Sequence, residues 1–338
     1  MKIVQVIDSL KGGGAERVCL EIHRQFLSLG HQSQIFITHN KADYDTDDNV
    51  IYVPAEHVID EVEKNQYDLV IGRMTHAAKV LRKIKKRKNV FFVVHTTLSE
   101  KMKKKGLLDR IRSTIISMLV YREANVVCVS RWIENDLLHK MKIKPNTIQT
   151  IYNPFDFKKI IRMAQEECAM DFDYIVSAGR LSQVKRYDLL IESFAALDTK
   201  LHLVLLGKGE KLSELKVLAR ELNVENRVHF PGWVTNPHKY IKNARLFVLS
   251  SDIEGLPGVV IESLIIGTPV VSTNCPSGIG EIMTGEFSKY LASVGDAQSL
   301  KKKIEMALES YPNIDADMLT KFSSNKITNE YLKLGLDN

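Results

Sequence analysis

Arg180 and Lys185 stand five positions apart in Gly179-Arg180-Leu181-Ser182-Gln183-Val184-Lys185, directly after an apolar run and at the threshold of a helical one. The carboxyl end of a strand beside a helix start already attracts phosphate through free backbone N–H groups. Two cations there add charge-assisted hydrogen bonds. Taken alone, the pair reads equally well as two solvated surface cations. A second strand-then-glycine arrangement, Leu206-Gly207-Lys208-Gly209-Glu210, lets backbone approach a ligand with no Cβ in the way, although as a plain turn it is unremarkable.

The more specific pattern is Ser250-Ser251-Asp252-Ile253-Glu254-Gly255-Leu256-Pro257-Gly258, which runs into a helix carrying Glu262. Seven residues separate the two glutamates, so one carboxylate sits in the loop and the other about a turn inside the helix. Carboxylates so placed can accept hydrogen bonds from different hydroxyls of one long ligand, Glu254 from a hexose and Glu262 from a ribose. A plainer reading makes Glu254 a helix-cap acid and Glu262 an ordinary helical residue. Their coincidence with Arg180 and Lys185 weakens it.

The elements that must hold these residues alternate in type. Apolar strand-like runs fall at 2–8, 34–38, 50–53, 68–72, 90–95, 126–130 and 147–152, and again at 174–178, 202–206, 227–230, 246–250 and 270–273. Helical or polar stretches separate them, including helices over 187–197, 212–222 and 259–266, and the pattern implies parallel sheets covered on both faces. At 338 residues, 44% of them hydrophobic, the chain is long enough for two α/β domains. The turn at Asn153-Pro154 places the boundary there, giving domains 1–153 and 154–310, with the segment 311–338 expected to return to the first.

In the first half, Gly12-Gly13-Gly14-Ala15-Glu16 follows the first strand, and Ala15, Val18, Cys19, Ile22, Phe26 and Leu29 share one helical face before Gly30. A dinucleotide fingerprint would need a third glycine where Arg17 stands, and an acid after the second strand where Thr38-His39-Asn40 stands; a nicotinamide enzyme is the weaker reading. His95 ends the apolar run from Phe91, on the side where open α/β sheets bind ligands. A lone histidine there is more often structural. Ser130, at the end of another such run, is a further cleft candidate.

The set Gly179-Arg180-Leu181 with Lys185, Gly207-Lys208-Gly209-Glu210, Arg227-Val228-His229-Phe230-Pro231-Gly232 and Glu254-x7-Glu262 closely resembles glycosyltransferase family 4, over residues 174–310. The resemblance implies the GT-B fold, an α/β architecture of two Rossmann-like domains facing a central cleft that closes over the substrates. It implies retaining transfer of a hexose or N-acetylhexosamine from a nucleoside-diphosphate sugar, commonly UDP-linked, to a glycan or lipid-linked acceptor, with no metal or other cofactor. It assigns Arg180 and Lys185 to the diphosphate, Glu254 to the sugar, Glu262 to the ribose, and backbone from Phe230 to Val234 to the base. Gly255, Leu256 and Pro257 would present backbone to the sugar. The loop at Gly13 and Gly14 would approach donor and acceptor, and His95 the transferred sugar. Two rival functions remain on such a scaffold: a nucleotide-sugar epimerase, and a silent sugar-nucleotide-binding subunit.

The formal net charge of +6 is too mild to argue for nucleic acid, but its distribution is uneven. Residues 82–112 carry twelve Lys and Arg against Glu100 and Asp109, an excess larger than that of the whole chain. Leu107, Leu108, Ile111, Ile115, Ile116 and Leu119 follow at helical spacing. Segment 82–119 therefore suits an anionic membrane surface, or is a solvated basic face whose apolar stripe faces the core. It lacks the interleaved aromatics of a nucleic-acid site. Cys19, Cys128, Cys168 and Cys275 form no C-x-x-C pair and read as reduced core residues. The Asp-x-Asp spacings at Asp43, Asp45 and Asp47 lie in an acidic loop, and the ten histidines have no paired ligand spacing, so no metal site is expected. No signal peptide or membrane-spanning run is apparent, and the expected location is the cytoplasm, with peripheral attachment to the inner face of the membrane.

Overall fold

The computed structural model describes residues 1–41, 46–84, 88–103 and 106–336. The discounted acids Asp43 and Asp45, and the cations Lys85, Lys86, Arg87, Lys104 and Lys105, lie outside the described residues. Residue contacts divide the chain into Met1–Phe155 with Lys321–Asn338, and Asp156–Thr320.

In the first unit the continuous apolar runs become seven parallel strands: β1 (Lys2–Ile7), β2 (Gln32–Ile37), β3 (Val50–Tyr52), β4 (Leu69–Arg73), β5 (Val90–Val94), β6 (Asn125–Cys128) and β7 (Thr147–Thr150). Their order is β3-β2-β1-β4-β5-β6-β7. The central strands are apolar without alternation because both faces are covered, and β4 and β5 are buried at every residue. The Gly14–Ser28 helix buries Val18, Cys19, Leu20, Ile22, His23 and Phe26. Leu29, expected on that face, is half exposed because the helix has already ended at Ser28.

The second unit holds β8 (Tyr174–Ala178), β9 (His202–Leu206), β10 (Val228–Gly232), β11 (Leu246–Leu249), β12 (Val270–Thr273) and β13 (Leu291–Ala292), in the order β10-β9-β8-β11-β12-β13. All its pairings are parallel. β13 escapes the sequence patterning because two residues carry no period. Tyr311 belongs with this unit: its hydroxyl donates to Val270 O at 3.0 Å and its ring lies 4.4 Å from that of Tyr290. The return to the first unit thus begins at Lys321, ten residues beyond the expected start. There Phe155 N donates to Phe322 O at 2.9 Å, Ser324 N to Phe155 O at 3.0 Å, and the Ser324–Leu336 helix packs on Gly14–Ser28.

The two glycine loops of the second unit serve each other. Gly179 N donates to Leu206 O at 2.9 Å, Leu181 N to Lys208 O at 3.1 Å, and Gly207 N to Gly232 O at 2.8 Å. A Cβ on Gly207 would lie 1.9 Å from Gly179 O, and one on Gly209 would lie 2.2 Å from Leu181 O. Sequence reasoning has Gly207 opening backbone to a ligand; its missing side chain instead admits the neighbouring carbonyl. Gly207 also has φ 140°, a conformation costly for any L side chain. Gly207→Ala is therefore expected to lower unfolding stability by about 2–4 kcal/mol in denaturant titration. Gly280→Ala, on an exposed helical position with open space around it, should be neutral or slightly stabilising.

Candidate functional site

The strand order of each sheet reverses once, and ligands of open α/β sheets bind outside the carboxyl ends of the strands at that reversal. In the second unit the reversal lies between β8 and β11. β8 delivers Gly179 and Arg180, then a short 3-10 turn at Gln183–Lys185; β11 delivers the Ser250 to Gly258 loop and the Gly258–Ile266 helix.

These two loops meet at one ion pair. Lys185 Nζ donates to Glu254 Oε1 at 2.6 Å, and Ser251 Oγ donates to the same oxygen at 2.6 Å. The side chains of Lys185 and Glu254 are only 23% and 14% exposed, so the attraction is screened less than on an open surface. Backbone holds the lysine as well: Ser250 Oγ donates to Lys185 O at 2.8 Å, and Asp252 N to Val184 O at 2.9 Å. Next in sequence, Arg186 sits at φ 50° and its guanidinium reaches both Asp188 and Asp252, which carries the turn's position into the second loop. The sequence pattern therefore found Lys185 and Glu254 and missed that they pair. It carried Ser251 within the pattern without a role and passed over Arg186, because neither stands at a glycine or an acid spacing.

Arg180 is exposed on the β8 loop. Glu262 is buried at 2% exposure, with His238 Nε2 3.3 Å from its Oε2. No spacing in the sequence links His238 to it; the His238–Asn243 helix brings it there by packing on Gly258–Ile266. Gly255, Leu256 and Pro257 are buried, and Gly255 O accepts from Gly278 N at 2.7 Å. Phe230 and Val234 flank the irregular end of β10, where Gly232 accepts the bond from Gly207; between them Trp233 is exposed, with Lys208 Nζ 5.8 Å from its ring centre. Cys275 lies near the ion pair, but burial, and then the charge of Glu254, pushes its thiol up to about 12, which leaves it an inert core group.

In the first unit the reversal lies between β1 and β4. Asp8, just after β1, accepts from Ala77 N at 3.2 Å, and burial raises its carboxyl above the usual range. Arg73, at the end of β4, is fully buried; Nε donates to Gln5 Oε1 at 2.7 Å and Nη1 lies 3.4 Å from His95 Nε2. No carboxylate pairs with Arg73 among the described residues. A guanidinium only donates, so His95 must accept through Nε2 and carry its proton on Nδ1. Burial, and then the charge of Arg73, holds His95 down to about 3. The arrangement presents a neutral imidazole at the strand end. Arg73 was missed because hydropathy reads a charged residue only as the end of a strand.

Gly13 forms the N-cap of Gly14–Ser28 in extended backbone, and a Cβ there would strike the Glu16 carboxylate at 2.3 Å; space around Gly14 is open. Ser130 is a structural group, not a cleft residue: it is fully buried and its Oγ accepts from Ile133 N, capping the Arg131–Asn135 helix.

The family described as Glycosyl transferases group 1 matches residues 159–327, and Glycosyltransferase Family 4 matches residues 12–159. The N-acetylgalactosamine-N,N'-diacetylbacillosaminyl-diphospho-undecaprenol 4-alpha-N-acetylgalactosaminyltransferase of Campylobacter jejuni is 28% identical, covering 97% of this chain and 97% of that protein. The lipopolysaccharide core biosynthesis glycosyltransferase LpsE of Rhizobium meliloti is 34% identical over 51% of this chain and 52% of its own length. The crystal structure of Anabaena Alr3699/HepE in complex with UDP and glucose superposes with a TM-score of 0.82 over the whole of both chains at 18% identity, a likeness of fold, the two parallel-sheet α/β domains of GT-B proteins.

Two outcomes follow from the site. Inorganic pyrophosphate binding, read by calorimetry, should weaken about tenfold or more in Lys185→Ala, while Glu254→Ala, which removes the competing carboxylate, should bind it at least as tightly as the parent. Nitrogen NMR of His95 should report a neutral ring protonated at Nδ1 from pH 8 down to about 4, because its protonation is displaced below the ordinary range of 6.5. A titration of that ring near 6.5 would contradict its burial beside Arg73.

Proposed function

Because this chain belongs to glycosyltransferase family 4, and is a glycosyltransferase, we propose that it moves a hexose or N-acetylhexosamine from a UDP-sugar to a glycan or lipid-linked acceptor, with retention at the anomeric carbon. The acceptor belongs to cell-surface polysaccharide or lipopolysaccharide-type synthesis. The Campylobacter jejuni relative, named for a diphospho-undecaprenol substrate, and the Rhizobium meliloti relative, named for lipopolysaccharide core synthesis, support that class. The observation that carries the reading is the Lys185–Glu254 pair at the β8/β11 reversal.

In this reading the donor diphosphate takes Lys185 from Glu254 and engages Arg180, and the released carboxylate turns to a sugar hydroxyl. As the bond from the anomeric carbon to the diphosphate oxygen breaks, negative charge grows on the leaving group. Arg180 and Lys185 stabilise that charge more than the neutral linkage, which is selectivity for the transition state. The acceptor oxygen bonds to the anomeric carbon from the same face, and its proton passes to the departing phosphate. No metal is needed, because the two cations supply the charge. Glu262 takes the ribose, backbone from Phe230 to Val234 the base, Gly255, Leu256 and Pro257 the sugar. On the first unit, Gly13, Gly14 and the neutral His95 serve the sugar and the acceptor. The work is done on the cytoplasmic side of an anionic membrane, reached through residues 82–119.

Mass spectrometry of products from a panel of nucleotide sugars and lipid-linked acceptors tests the reading, with the anomeric configuration fixed by NMR. Transfer with retention is expected, and Arg180→Ala and Lys185→Ala should each lower turnover by about 10². Isomerisation of the donor without consumption of acceptor, or parental rates in both variants, would contradict it.

A further inference from the structure

The Leu107–Tyr121 helix is built the wrong way round for a surface helix. A helix on a globular protein turns its apolar stripe to the core. Here Leu107, Leu108, Ile111, Ile115, Met118 and Leu119 are 73%, 82%, 49%, 52%, 40% and 67% exposed. Ser117, Val120 and Tyr121 are the residues it buries. At about 100° per residue the six exposed side chains fall within an arc of about 120°, and the buried three lie on the opposite side. The core-facing alternative raised by the sequence is thereby removed. Ile116, counted there in the stripe, is only partly exposed, and Met118 takes its place.

The charge around this face is mostly positive, although Lys103 pairs with Glu100 at 2.9 Å. Arg110 and Arg112 on the helix, and Lys101 and Lys103 on the preceding Leu98–Lys103 helix, are all exposed. Asp109 is the one acid within the longer helix. Fifteen residues span about 22 Å, short of the roughly 30 Å of a bilayer's hydrocarbon core, so the helix cannot cross a membrane. An exposed apolar arc flanked by cations, on a helix too short to span, suits a position in the plane of an anionic lipid surface. A second copy of the chain fits less well, since an isologous contact over the apolar arc sets the cationic flank of one copy against a flank of the same sign on the other.

We propose that Leu107–Tyr121 is an in-plane docking helix whose six exposed apolar side chains enter the headgroup boundary of an anionic bilayer. This rests on the reading that the chain works at a membrane, and it changes the weight of the contact: apolar insertion holds the protein, while the cations select the lipid charge.

Sedimentation with phosphatidylcholine vesicles, with and without phosphatidylglycerol, tests this on the full chain without donor or acceptor. The parent should sediment with the anionic vesicles at low salt. Leu108→Gln combined with Ile115→Gln and Leu119→Gln should bind at least about tenfold more weakly even at low salt, with donor hydrolysis unchanged. All three positions are exposed, so the fold does not depend on them. Lys101→Gln with Lys103→Gln should weaken the preference for phosphatidylglycerol. The proposal is overturned if the parent stays in solution, if the triple variant binds like the parent, or if the parent is a dimer that the triple variant dissolves and no vesicle is bound. Vesicle binding and sugar transfer are read separately, so loss of one leaves the other standing.

Discussion

Reversal of strand order between β8 and β11 governs what the second unit can bind, because it leaves two strand ends side by side with their following helices on opposite faces of the sheet. Lys185 and Glu254 close that gap by charge, and the backbone bond from Asp252 to Val184 closes it by geometry. The glycines make this approach feasible: without Gly207 and Gly209 the β8 loop could not lie against the β9 loop, and Lys185 would have no fixed origin. A partly buried pair of this kind is a poor source of net stability, since desolvation offsets much of the attraction. In the proposed function it is suited to exchange, because a diphosphate would offer Lys185 another anion and leave Glu254 for a hydroxyl.

The first unit repeats the strand order and uses it differently. Its reversal holds a buried arginine with no carboxylate partner among the described residues, and burial, aided by the charge of Arg73, keeps His95 neutral. One unit thus offers cations that anions can claim, and the other a ring that stays uncharged.

Much of this was legible in the sequence because parallel strands buried on both faces are continuous apolar runs, and their positions came within a few residues of the observed ones. Three of the runs, 174–178, 202–206 and 270–273, coincide with β8, β9 and β12. Motif spacing singled out Arg180, Lys185, Glu254 and Glu262, of which the structure pairs Lys185 with Glu254. What it could not give were partners made by tertiary packing: Arg73 with His95, His238 with Glu262, and Ser251 with Glu254 join residues from different elements or with no diagnostic spacing. The sense of the Leu107–Tyr121 helix was equally hidden, because periodicity marks an apolar face without saying whether protein covers it.

The central claim is that Lys185 gives up Glu254 for the donor diphosphate, and a crystal structure with bound nucleoside diphosphate tests it most directly. The account predicts Lys185 Nζ within about 3 Å of a phosphate oxygen and more than about 4 Å from Glu254. A bound diphosphate that leaves the 2.6 Å contact between Lys185 and Glu254 intact would contradict it.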